Sequence, residues 1–195
     1  MASGAESWGD VVDYGCGDKP YLELFASRCS SYLGVDAGGT AADLPLNEDG
    51  TLPLPSDSAD LVISTQVLEH VADPELYLAE AARVLRRDGK LILSTHGIWA
   101  YHPHPTDFWR WTSDGLARVV EQAGFGIVSF RGILGPPATG LQLWQDAVRA
   151  GLPGPLRPPF TFVAQFFIGL QDSITRQATR DRDASIFLVV AAKRR

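Results

Sequence analysis

Cysteine is scarce in this 195-residue chain: Cys16 and Cys29 are the only two. Two thiols far apart match no repeated zinc-ligand spacing and make no disulfide framework, so a reducing, cytoplasmic setting is expected. No stretch reaches the ~18 consecutive apolar residues of a membrane-spanning helix. The opening "MASGAESWGD" lacks a basic segment leading into an apolar run, which argues against a secretory signal. Positive charge is short as well. Lys and Arg number 17 against 23 Asp and Glu, for a net charge of -6, and Lys193, Arg194 and Arg195 are only a short basic tail. A surface built to neutralise nucleic-acid phosphates is therefore not expected. With 45% hydrophobic and 21% charged residues the composition is ordinary for a globular chain, and the length suits one domain.

Short apolar runs alternate with helical patterns, which predicts an α/β fold with a mostly parallel, doubly wound sheet. Strands are expected at Asp10 to Asp13, Tyr32 to Asp36, Leu61 to Ser64 and Leu91 to Thr95. Tyr21 to Cys29 reads as a helix, with Pro20 suited to its first turn. Asp73 and Pro74 open a second helix, which carries Leu78, Ala81, Ala82 and Leu85 on one face and is expected to stop at Gly89. Thr112 or Ser113 caps a third, running to about Ala123, with Gly124 at its end and a strand from Phe125 to Phe130. "ASIFLVVAAK" is the last strand. Residues 132–183 form an insertion before it, with helical patterns around Leu141 to Ala150 and Phe160 to Gln177.

"VVDYGCGDKP" places an acidic residue at the end of a strand and then a turn almost free of side chains. Gly15 and Gly17 let backbone approach a ligand closely, at the carboxyl edge of a parallel sheet where ligands bind. Pro20 stands where a dinucleotide fingerprint requires its third glycine or alanine, which disfavours a nicotinamide cofactor. No Gly-Lys followed by Ser or Thr makes a phosphate loop. Asp36 ends the second strand 23 residues after Asp13, close to the ~20-residue spacing at which a carboxylate meets a ribose.

Asp13, Gly15 and Gly17 resemble motif I of the class I S-adenosylmethionine-dependent methyltransferases, with Lys19 in place of that motif's frequent third glycine. Asp60 to His70 and Val84 to Gly97 resemble the methyltransferase type 11 family, with Asp88 replacing the first glycine of a pair. "HPHPTDFWRWT" resembles a stretch found after the fifth strand in part of that family, through His102, Pro105, Asp107, Phe108, Trp109, Arg110, Trp111 and Thr112. The resemblance implies a seven-stranded sheet with an antiparallel last strand and S-adenosyl-L-methionine as cofactor. It places Asp13, Gly15, Cys16 and Gly17 at the methionyl end, Asp36 and Ala37 at the ribose, and Thr65, Gln66 and Val67 alongside. Asp49, with Gly50 and with Glu48 as alternative, is expected at the adenine.

Methyl transfer to a small-molecule hydroxyl or amine, such as a sugar or secondary metabolite, needs alignment and a proton acceptor. Histidine suits that task near neutral pH, and His102, His96 and His70 are the candidates, with His104 behind them. His70 reads equally as a helix-start histidine bonded to backbone. A zinc reading of "HPHPTD" is set aside, because alternating His-Pro is stiff and no further ligand cluster accompanies it, so no metal is expected. Trp99, Tyr101, Phe108, Trp109 and Trp111 are candidate walls of a substrate pocket. Phe160, Val163, Phe167 and Leu170 follow helical spacing in the insertion, which reads as a substrate lid. The other reading is a patch, with Phe162 and Phe166, that docks on a membrane surface or a second subunit; monomer and homodimer both stay open. A catalytically inactive, methyltransferase-like binding protein is the second functional expectation.

Overall fold

A computed structural model describes residues 7–38, 41–103 and 106–194 of the chain. Seven strands form one sheet in the order β3-β2-β1-β4-β5-β7-β6. They are β1 (Gly9–Tyr14), β2 (Cys29–Asp36), β3 (Leu44–Pro45), β4 (Ala59–Thr65), β5 (Leu85–His96), β6 (Phe125–Ile133) and β7 (Ile186–Lys193). The first five pair in parallel, while β7 runs antiparallel between β5 and β6. The chain winds outward from β1 through β2 to β3, then returns to place β4 on the other side of β1. The carboxyl ends of β1 and β4 therefore flank the switch point, where an open α/β sheet has its crevice.

The central strands read as near-continuous apolar runs because both their faces are covered. One face carries the main core. Helix α2 (Pro74–Val84) brings Leu78, Ala81 and Val84 there, and α3 (Ser113–Gln122) brings Leu116 and Val120, all packed on strand residues such as Val12, Val62, Leu91 and Val189. The other face has a smaller cluster of Val11, Leu61 and Ile63 under Trp8, Tyr21, Phe25 and Tyr32. The short helix α1 (Leu22–Ala26), whose Phe25 packs on this cluster, has no buried residue.

Several expected boundaries move. Helix α1 is five residues long, and Cys29 already belongs to β2, where it pairs with Gly9. Helix α2 ends at Val84 instead of reaching Gly89, and Leu85 is a strand residue rather than part of the helical face. Ala59 pairs with Leu85 but Leu61 pairs with Lys90, so residues 86–89 bulge out of the ladder. The bulge lets Arg86 reach Asp60 at 2.6 Å and Asp10 at 2.9 Å, tying the amino-terminal ends of three strands together. Asp88 takes the left-handed φ of 65° there, the conformation that a glycine adopts more readily. Asp73 caps α2 by accepting from the Leu76 amide, and Thr112 caps α3 by accepting from that of Gly115.

Strand β6 runs three residues past Phe130, so the insertion occupies 134–185 instead of 132–183. It holds α4 (Pro136–Gly151), α5 (Arg157–Ile174) and α6 (Gln177–Arg182), with a 3-10 turn at Gly154–Leu156. Helices α4 and α5 pack on each other, with Trp144 against Phe160. Phe162, Phe166 and Ile174 stay exposed. No described helix is long and apolar enough to cross a membrane.

Candidate functional site

The turn after β1 is bent by three left-handed residues, Gly15 (φ +79°), Gly17 (φ +48°) and Lys19 (φ 54°). At Gly15 a side chain is excluded twice over, since an added Cβ would stand 2.4 Å from Val67 Cγ2. Lys19 keeps the backbone path that a third glycine would take. Its ammonium is 2.6 Å from Asp43, whose other oxygen accepts from the Gly34 amide, and this anchors the turn to β2. Asp36 completes the clamp by accepting from the amides of Gly17 (2.9 Å) and Gly38 (3.1 Å).

A cavity of about 530 Å³ opens above this turn, within the range of small-ligand sites. Gly15, Gly17, Asp36, Ala37, Asp49, Gly50, Gln66 and Val67 line it, together with Glu48, His70 and Leu76. Tyr14 and Tyr77 form its base, their rings stacked 3.8 Å apart. The Tyr77 hydroxyl donates to the Tyr14 carbonyl and contacts Ser64. The wall at 47–55 is held to α2 by Glu80, which accepts from the Leu52 amide, and by Arg83, which donates to the carbonyls of Leu52 and Leu54.

Three residues expected along the cofactor do not line this cavity. Asp13 is buried behind the turn; one carboxylate oxygen accepts from the Tyr32 hydroxyl and the other is enclosed without a hydrogen bond. Burial raises the Asp13 pKa, and the nearby Asp36 charge adds to the rise. Cys16 is buried too, with its thiol pushed up to about 11, first by burial and then by Asp13 and Asp36. Thr65 faces a second cavity. Of the two candidate adenine carboxylates, Asp49 is engaged by the Thr51 amide and hydroxyl, which lower its pKa. Among the described residues, none makes such a side-chain bond to Glu48.

The second cavity, of about 670 Å³, lies on the thinly covered face of the sheet. Apolar side chains dominate it, among them Phe25, Ile63, Ile92, Ile133 and Leu188, and Thr65, Ser94, His96 and His102 supply the polar edge. Gln66 lines both cavities. It sits at φ 57°, its amide nitrogen donates to the Ser94 hydroxyl, and its side-chain oxygen is enclosed without a partner. Such a strained residue with an unspent acceptor marks the junction of the two spaces.

All three described candidate histidines converge beside that junction. The ring of His102 stands 4.9 Å from those of His70 and His96, and His96 stacks on Trp99. His70 ends a 3-10 turn (Leu68–His70) instead of starting a helix; its Nδ1 is 2.8 Å from the Thr106 carbonyl in a distant loop, and the ring still borders the first cavity. Asp107 accepts from the His102 amide and pairs with Arg110, first among the causes that hold its pKa far below the ordinary carboxylate value. Arg110 in turn donates to the carbonyls of Trp99 and Ala100. His104 and Pro105 lie outside the described residues.

Glu69 is not among the candidates expected from the sequence, although it stands between Val67 and His70, which are. Its side chain is fully buried, 2.8 Å from Nδ1 of His96, and accepts from the Thr95 hydroxyl. Burial opposes its charge, but His96, its own amide and Thr95 together hold its pKa below the usual value. Among the aromatics expected at a substrate pocket, Trp99 lines the second cavity, while Tyr101, Phe108, Trp109 and Trp111 line neither of these two. Neither cavity is lined by a residue of α4, α5 or α6; Ile133, at the end of β6 and within the expected insertion, lines the second.

The strand order, the antiparallel seventh strand and the glycine turn at the switch point define a class I S-adenosylmethionine-dependent methyltransferase fold. Residues 12–93 match the methyltransferase type 11 family model, a methyltransferase domain. A probable S-adenosylmethionine-dependent methyltransferase of Mycobacterium tuberculosis is 30% identical over 144 residues, 66% of this chain and 53% of that protein. A ubiquinone biosynthesis O-methyltransferase of Dinoroseobacter shibae is 26% identical over 165 residues, 69% of this chain and 66% of the relative. The crystal structure of a Mesorhizobium loti S-adenosylmethionine-dependent methyltransferase superposes with a TM-score of 0.60 at 18% identity, covering 97% of this chain and 94% of that one. The chain spans about half the length of the first curated relatives it matches.

Proposed function

We propose that the protein transfers the methyl group of S-adenosyl-L-methionine to a hydroxyl or amine of a largely apolar small molecule. The observation that carries this reading is the meeting of two cavities at Gln66, one with a glycine turn and carboxylates, the other apolar with histidines at its edge. The first cavity fits a nucleoside: Gly17 leaves open space where a Cβ would stand, and Asp36 offers a carboxylate at the ribose. Leu46, Val67, Val71 and Leu76 offer an apolar slot for adenine, with Glu48 free to accept a hydrogen bond. When bound, the cofactor supplies an activated methyl on a sulfonium.

The chain's own work is alignment and proton uptake. The apolar second cavity excludes water and presents the acceptor, and His96 takes its proton. Glu69 fixes the His96 ring through Nδ1 and favours the imidazolium as the proton arrives. A base of this kind contributes typically ~10² to 10⁴-fold. The wide groove with few charged side chains suits a ring or prenyl-like acceptor better than a bare sugar or a nucleic acid. Two free thiols agree with a reducing, cytoplasmic setting. Calorimetry of S-adenosylmethionine binding to wild type and Asp36→Ala tests the reading; equal affinity would remove the nucleoside from this cavity.

A further inference from the structure

We infer that Glu69, His70 and His102 form a binding site for a divalent transition-metal ion, with Zn²⁺ the ion that the donor set favours. Each offers one ligand atom, and the three atoms lie within 4.8 Å of one another. The residues come from separate segments, the turn after β4 and the loop after β5, so their meeting is a product of the fold. One of these groups is incompletely satisfied: Nδ1 of His102 is enclosed without a hydrogen bond.

The charge balance points the same way. Glu69 is a fully buried carboxylate, and among the described residues no Lys or Arg pairs with it; His96 is its one ion-pair partner. A buried anion requires a compensating charge, and a cation held beside it supplies one. The surroundings of the donors match what ligating side chains need. A carbonyl can only accept, so the Thr106 contact puts a proton on Nδ1 of His70 and leaves Nε2 with its lone pair. Asp107 lies 3.4 Å from Nδ1 of His102 and is itself locked by Arg110. Glu69 is oriented by the Thr95 hydroxyl. Such outer partners, a backbone carbonyl for one histidine and a carboxylate for the other, typically hold metal-binding imidazoles.

Two imidazoles with one carboxylate suit zinc and its neighbours better than magnesium or calcium, which prefer all-oxygen sites. Zinc bonds of ~2.0 to 2.2 Å bring tetrahedral ligands closer than 4.8 Å, so the half-buried histidine rings turn inward on binding. Three protein ligands leave a position open. Because His70 borders the first cavity and His102 the second, that position faces the junction, where an acceptor hydroxyl bound to the ion would lose its proton more readily. This last role rests on the methyl-transfer reading; metal binding itself does not.

The test uses the full chain stripped with chelator, titrated with Zn²⁺ by calorimetry and with Co²⁺ by visible absorption, in the absence of S-adenosylmethionine. One ion per chain is expected, with cobalt bands in the visible range. His70→Ala and His102→Ala, both at half-buried positions, should each abolish saturable uptake while melting remains cooperative. Glu69→Gln should weaken it as well. No saturable uptake by wild type, or uptake that survives both histidine substitutions, overturns the site. A chain that takes up zinc but not S-adenosylmethionine sinks the proposed function and leaves this inference standing, and the converse result does the opposite.

Discussion

Nδ1 of His96 stands 2.8 Å from a carboxylate oxygen of Glu69, in a pair whose side chains are 8% and 0% exposed. Because the folded chain holds the Glu69 pKa below the ordinary value of 4.5, the ionised carboxylate contributes stability above the unfolded value. That contribution is lost as pH falls below 4.5 toward the lower folded value. Glu69→Gln should therefore lose about 1 to 3 kcal/mol at pH 7, the typical cost of unsatisfied buried partners. Its melting temperature should also fall less steeply than that of wild type on acidification. Thermal melts across pH in chelator check both points, and parallel pH curves for the two proteins would refute the pairing.

Gly15 and Val67 make a second pair that a substitution can separate. Gly15→Ala meets two obstacles, the left-handed φ and the collision with Val67. The backbone strain of a non-glycine residue in a sparse region is about 1 to 3 kcal/mol, and the overlap adds to it. Trimming Val67 to Ala in the same chain removes the two worst overlaps, with Cγ1 and Cγ2, and leaves a tight 3.1 Å approach to Cβ together with the strain. The double variant should then be more stable than the sum of the two single effects, as a denaturant-based double-mutant cycle would read. Additive effects would mean that the turn moves away from Val67 without resistance.

Much of this is legible in the sequence, and the residues show why. Asp73, Pro74, Thr112 and Gly124 act within one or two turns of themselves, so the starts of α2 and α3 and the end of α3 could be read locally. The α2 end could not, because Arg86 leaves the helical pattern to pair with Asp10 and Asp60, 76 and 26 residues away. The short β3 carries no apolar run and exists only as a partner for β2. Spacing brought Asp36 to the cavity, and the histidines were found by residue type. Glu69 was missed because its role depends on β5 bringing Thr95 and His96 over the turn after β4. The motif-based placement of Asp13 met a similar limit, since motif position does not reveal that Tyr32 on the next strand takes up its carboxylate.

The nucleoside wall offers a prediction independent of chemistry at the sulfonium. Arg83 joins α2 to the carbonyls of Leu52 and Leu54 and pairs with Glu80, which itself holds the Leu52 amide. Arg83→Ala releases one end of this brace and should lower stability by about 1 to 3 kcal/mol. It should also weaken S-adenosylmethionine binding, although Arg83 lines neither cavity. Affinity equal to wild type would show that 47–55 keeps its place without the brace. Within the same wall, Glu48→Gln should weaken binding more than Asp49→Asn, because Asp49 is already occupied by Thr51.

Asp13 separates a structural from a ligand-contacting role by the sign of its effect. Its folded pKa is raised, chiefly by burial, so the neutral acid is favoured below the unfolded value of 3.8 and that advantage disappears as pH rises through the folded pKa. At pH 7 the carboxylate is a buried charge with one oxygen unsatisfied. Asp13→Asn keeps an acceptor for the Tyr32 hydroxyl and removes the charge. It should raise the melting temperature at pH 7, by roughly 2 to 4 °C for each kcal/mol relieved in a chain of this size, with the gain fading as the pH approaches 3.8. If the same variant keeps S-adenosylmethionine affinity, Asp13 shapes the turn from behind; if it gains stability and loses affinity, the charge is retained for the ligand at a cost to the fold. A loss of stability at pH 7 would contradict the placement of Asp13 behind the turn.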